Sequence, residues 1–146
     1  MDPIPQPSTF ARAVRLMHGA MTAGCVLAGG VFVLVRRLGT GPTLAGHATI
    51  GVVLAGASVA LLAVATALVR PRLPERIASQ TAEVYWTAAE TRGPAILLWA
   101  TVEGAALVSL VGYLLTGGAL PAAAAGLAIL ALILFRPSRL EGEGAA

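Results

Sequence analysis

Polar and apolar positions fall into long blocks along this chain. Apolar stretches at about 12–35, 46–69, 93–116 and 120–135 are bounded by arginine, glycine and proline. About 20 apolar residues rising 1.5 Å each cover a hydrocarbon layer of roughly 30 Å, so each stretch predicts a membrane-crossing helix. The fourth is the shortest. The first carries Arg12 and Arg15 at its start, but its apolar part, 16–35, is longer than a signal-peptide core and Arg36-Arg37 follows directly, which predicts a retained helix. The Gly/Pro-rich segments 38–45 and 117–121 predict tight turns. Pro71 and Pro137 follow Arg70 and Arg136 and predict helix ends there.

The remaining segments are polar. Residues 1–9, MDPIPQPST, read as a flexible tail in which Ser8 or Thr9 caps the first helix. Residues 138–146 read as a second tail. The loop 71–92 has Ile77, Thr81, Val84, Tyr85 and Ala88 at helical spacing, and Pro74 suits a first helical position. It predicts a short amphipathic helix that lies at the membrane surface or runs straight into the third span, with Tyr85 and Trp86 at headgroup level. The fold class is therefore an all-α membrane protein, with one four-helix domain over 10–137.

Composition agrees. The chain is 57% hydrophobic and 12% charged, about half the charge of a soluble domain. All ten basic residues are arginine. Arg12, Arg15, Arg70, Arg72, Arg76, Arg92, Arg136 and Arg139 fall on one side of the predicted membrane, and Arg36 and Arg37 on the other. This asymmetry places both termini and the middle loop in the cytoplasm. Arg36, Arg37, Arg70, Arg92 and Arg136, with Tyr85 and Trp86, are the predicted interface anchors. The loop's charges nearly cancel, which argues against a lipid-specific basic patch there. Arginines at helix ends are orientation chemistry and carry no nucleic-acid footprint.

The two halves look alike. LVRPRLPE at 68–75 matches LFRPSRLE at 134–141, and 15–35 aligns with 95–115 so that Ala23-Gly24 falls opposite Glu103-Gly104. Both halves begin on the same side, which predicts two tandem hairpins related as a parallel internal repeat. Lipid supplies no hydrophobic drive for helix association, so small residues must let backbones approach. The candidates are Ala20, Gly24 and Ala28, then Gly51 and Ala55, Gly104, Ala105 and Gly112, and Gly126.

One residue stands out chemically. Glu103 lies roughly 16 Å along its helix from Arg92, about half of the hydrocarbon layer. A carboxylate at that depth costs a few kcal/mol and calls for a reason or a partner. Two readings stand: a proton or cation site, or a buried polar tie to Thr22, Ser58, Thr66 or Thr101. His18 and His47 are predicted near opposite faces and cannot share a metal, and no second histidine matches the depth of His18 for haem. Cys25 reads as a small packing residue. No CxxC, HExxH, phosphate-binding loop or Ser/His/Asp set is present, so the expectation is a non-enzymatic protein without cofactor or metal.

Arg92, then Leu97 to Leu107 with Glu103-Gly104-Ala105-Ala106, resembles the ion-carrying helix of rotary ATPase proteolipid subunits. That resemblance implies an ion-binding carboxylate at Glu103, although the family places it on the second helix of a hairpin. The whole chain is similar to small uncharacterised four-span bacterial membrane proteins, through the Glu103-Gly104 core, Tyr113-Leu114-Leu115-Thr116-Gly117 and Arg136-Pro137. This implies a bacterial inner membrane. The expected partners are the lipid bilayer and either further copies or a larger membrane complex. The expected role is a small structural or accessory subunit; an ion carrier is the alternative, and a small-molecule transporter a third reading.

Overall fold

The computed structural model describes residues 9–42 and 46–142. The tail over 1–8 with the cap expected there, Thr43 to Ala45 of the first turn, and 143–146 of the second tail lie outside the described residues. Helices α1 (Thr9–Arg37), α2 (His47–Val64), α3 (Ala82–Thr87), α4 (Ala89–Thr116), α5 (Ala119–Leu134) and α6 (Pro137–Leu140) form an all-helical bundle. Three helical stretches, Phe10–Arg37, His47–Arg72 and Ala89–Thr116, are long and apolar enough to cross a membrane, and Ala119–Leu134 is a shorter apolar helix.

The end of α2 departs from expectation. Its last turns become a π-helical turn at Ala65–Val69 and a 3-10 turn at Arg70–Arg72, so helical winding continues through Pro71. Pro74 does not start a helix. The chain has no regular secondary structure over 74–77, and helical structure resumes at Ala82. There Thr81 caps α3, its hydroxyl accepting the Val84 amide at 3.3 Å. A break at Ala88 separates α3 from α4.

The centre of the fold is α4, which packs against α2 and α5 along most of its length and against α1 more locally. Between α2 and α4 the buried positions step by fours and threes. They are Gly51, Ala55, Ser58, Leu62, Ala65 and Val69 on one side, and Leu98, Val102, Ala105, Ser109 and Gly112 on the other. A 3.5-residue repeat is the seam of a left-handed coiled coil. Close packing of Gly51 on Thr116 and of Gly112 on Leu54 sets the antiparallel register. A Cβ on Gly112 would lie 3.1 Å from Cβ atoms of both Leu54 and Pro121, so a side chain there would crowd the seam.

The first pair of helices does not form a packed hairpin. Instead α1 lies against α4 and α5 and makes no packed interface with α2. The α1-facing groove touches Ala125, Gly126 and Ile129 of α5, whereas the α2-facing groove touches Ala123, Ala124 and Leu127. These sets lie on opposite sides of one helix, so α1 and α2 flank the α4–α5 pair. The outer face of α1 keeps Leu16, Leu27, Val31 and Leu34 exposed, a surface suited to apolar surroundings.

Both turns are closed by conformations that suit glycine. Gly117 ends α4 with φ 65°, and a Cβ there would also run into the Arg36 guanidinium. That guanidinium reaches the Leu114 carbonyl at 3.5 Å and the Pro42 carbonyl at 3.1 Å, which puts a cation at the negative end of α4.

Candidate functional site

Glu103 sits near the middle of α4, half-buried beside α1. Cys25 of α1 lies within electrostatic range of it. Among the described residues its carboxylate makes no hydrogen bond and no ion pair. The hydroxyls expected to hold it are engaged elsewhere or unreached. Thr22 donates to the His18 carbonyl at 3.0 Å, Thr101 to Leu97 at 2.7 Å and Thr66 to Leu62 at 2.8 Å, each back onto its own helix. Ser58 and Ser109 share one layer of the α2–α4 seam, and both hydroxyl oxygens are buried with no partner among the described residues. Glu103 is not part of that seam.

The small residues divide into two groups. Gly51, Ala55, Ala105 and Gly112 are buried in the α2–α4 interface and let the backbones approach. Ala20 and Gly24 on α1 are exposed, Ala28 and Gly104 are half-buried, and Gly126 is exposed. A Cβ added at Gly24, Gly104 or Gly126 would meet nothing within 4 Å. At these three glycines the space beside the backbone is open among the described residues.

A second polar centre occupies the loop-side end of the bundle. Glu141, 1% exposed, takes an Arg15 guanidinium nitrogen at 2.5 Å and the Trp86 indole N–H at 2.6 Å. Trp86 stacks at a tilt on Trp99, with centroids 5.7 Å apart, and Trp99 meets the His18 ring edge-on at 5.1 Å. Helix α5 stops before Arg136-Pro137, which strands its last carbonyls. Two of them are met from other helices: Trp99 donates to Phe135 at 2.8 Å and His18 Nε2 lies 2.9 Å from the Leu132 oxygen.

The same centre starts α1. The Glu83 carboxylate takes the amides of Phe10 at 3.1 Å and Ala11 at 3.0 Å, and so supplies an acid to the positive end of a helix more than seventy residues away in sequence. Arg92 covers the Phe10 ring at 5.6 Å. Tyr85 donates its hydroxyl to the Pro74 carbonyl at 2.9 Å and packs edge-on against Trp86. Burial pushes the Tyr85 phenol above its ordinary pKa; Arg70 and Arg76 pull it back and Glu141 adds to the rise.

Tyr85 and Trp86, expected at headgroup level, are both buried against neighbouring elements. Of the remaining anchors, Arg37, Arg92 and Arg136 are exposed and Arg36 and Arg70 half-buried. No group of three His, Cys, Asp or Glu side chains capable of holding a metal occurs among the described residues. Glu83 and Glu141 were not among the expected site residues, since neither shows in sequence which distant partner it meets. No family model, curated protein or solved structure matches the chain.

Proposed function

We propose that this chain is a non-enzymatic integral membrane subunit that packs against copies of itself or larger membrane partners through Glu103. In this reading the three long apolar helices and the shorter α5 all cross a bacterial inner membrane, both termini lie in the cytoplasm, and the halves descend from one repeated hairpin. The observation that carries it is the unpartnered carboxylate in the middle of α4, with open glycine positions on the same flank at Gly24 and Gly104. An acid at that depth is stabilised by a partner that supplies a hydrogen bond and excludes lipid.

The test is native mass spectrometry on the chain extracted from its own membrane in mild detergent, with Glu103→Gln and Glu103→Leu alongside. An accessory subunit keeps its assembly with Gln, which still hydrogen-bonds, and loses it with Leu. An assembly unaffected by Leu counts against the role of Glu103. A large ring of identical copies, in which Gln abolishes proton- or cation-linked behaviour, selects the carrier reading instead.

A further inference from the structure

The loop-side halves of α1 and α5 border a shallow open groove of about 380 Å³ that the Glu103 reading leaves unused. Gly19, Ala23 and Val26 of α1 and Ile133 of α5 form its apolar walls. Arg136 stands at its loop-side end, just past the last turn of α5. Val26 lies about 12 Å deeper along α1 than His18, so the groove runs from a cation inward along apolar surface. A Cβ on Gly19 would meet nothing within 4 Å, which leaves the floor open.

Charge points to the occupant. From sequence the acids and arginines of this face nearly balance around the loop. In the fold Glu83 is spent on the first amides of α1, and Glu141 on Arg15 and Trp86. Glu75 and Glu90 are the fully exposed acids left among the described residues of this face, against exposed Arg12, Arg72, Arg92, Arg136 and Arg139. The Arg136 guanidinium has no hydrogen bond or ion pair among the described residues. An arginine above an apolar channel matches a phosphate above an acyl chain, and the arginine-rich side is the one that faces anionic lipid.

We propose that this groove holds one anionic phospholipid, its phosphate on Arg136 and one acyl chain along Gly19, Ala23 and Val26. The site requires a membrane setting and is independent of Glu103. The experiment is native mass spectrometry on the full chain in mild detergent, titrated with phosphatidylglycerol or phosphatidylcholine, with inorganic phosphate as competitor. Phosphatidylglycerol should be retained about fivefold better than phosphatidylcholine, the factor one surface arginine supplies. Arg136→Gln should erase that preference and Arg136→Lys should keep much of it. Gly19→Leu should lower retention of both lipids by filling the floor, and Ala23→Leu provides the same block from the next turn. Circular dichroism checks that each variant folds. Equal retention of the two lipids by the unaltered chain overturns the proposal, as does retention indifferent to both groove-filling variants. Displacement by inorganic phosphate alone reduces the site to an anion contact and also overturns it.

Discussion

At the loop-side end of the bundle, acids and ring donors meet their counterparts on other elements: Glu141 on α1 and α3, Glu83 on α1, Trp99 and His18 on α5. In the middle of α4, one acid meets none. The two regions lie on the same central helix, only four residues apart at Trp99 and Glu103. A buried polar group with its partners inside the chain holds the fold together. One without them adds nothing to the isolated fold, and under the proposed role Glu103 finds its partner outside the chain.

The strongest way to break that contrast is at Glu141. Glu141→Ala leaves the Trp86 indole and the Arg15 guanidinium without their acceptor. Removing one member of a fully buried ion pair costs about 3–5 kcal/mol. The Arg15 side chain is 47% exposed and can turn to solvent, so the expected loss is smaller, about 2–3 kcal/mol. Unfolding in mild detergent measures it. An unchanged midpoint would show that this centre does not hold the ends of the bundle together.

Glu103→Leu should move the isolated chain the other way. Replacing an ionisable group that lacks a partner with an apolar one of similar size removes a desolvation cost, and for half-buried Glu103 the expected gain is about 0–1 kcal/mol. The same unfolding measurement checks it. A loss comparable to that of Glu141→Ala would mean that Glu103 has an internal partner, and the two regions would no longer differ.

How far the sequence carries this contrast depends on the reach of each interaction. The helices were legible because apolar block length is a local property, and 12–35, 93–116 and 120–135 lie within a few residues of α1, α4 and α5. Glu103 was legible because one charge in an apolar block needs no partner to be noticed. Gly51, Ala55, Ala105 and Gly112 were legible as small residues, but the 3.5-residue seam that joins them passes through Leu62, Val69 and Val102, which look like any lipid-facing residue. Glu83 on Phe10 and Glu141 on Arg15 pair residues 73 and 126 apart, and no local pattern marks them. The burial of Tyr85 and Trp86 was not legible, because an interfacial aromatic and a buried one have the same helical spacing.

A smaller effect separates the ring stack from the ion pair. Trp99→Phe keeps an aromatic ring beside His18 and Trp86 but withdraws the donor from the Phe135 carbonyl. The expected cost is about 1 kcal/mol, the net value of one such bond. Hydrogen exchange should speed up in the last turn of α5 and stay unchanged in the α2–α4 seam. Equal acceleration in both would mean that Trp99 acts through general packing.

The smallest effect belongs to Tyr85, and pH sharpens it. Tyr85→Phe removes the bond to Pro74 and leaves the ring on Trp86, for an expected loss of about 0.5–1 kcal/mol at neutral pH. Because burial raises the phenol pKa in the fold, the neutral form is favoured there. An unfolded chain ionises its tyrosine near pH ~10, before the folded one does. The stability that Tyr85 contributes is therefore fully present below that value and is lost as pH climbs through the folded pKa. Tyr85→Phe should flatten this alkaline limb of the stability profile and leave the profile below neutral pH as it was. An alkaline limb that persists unchanged would place the titrating group elsewhere and separate Tyr85 from the loop-side centre.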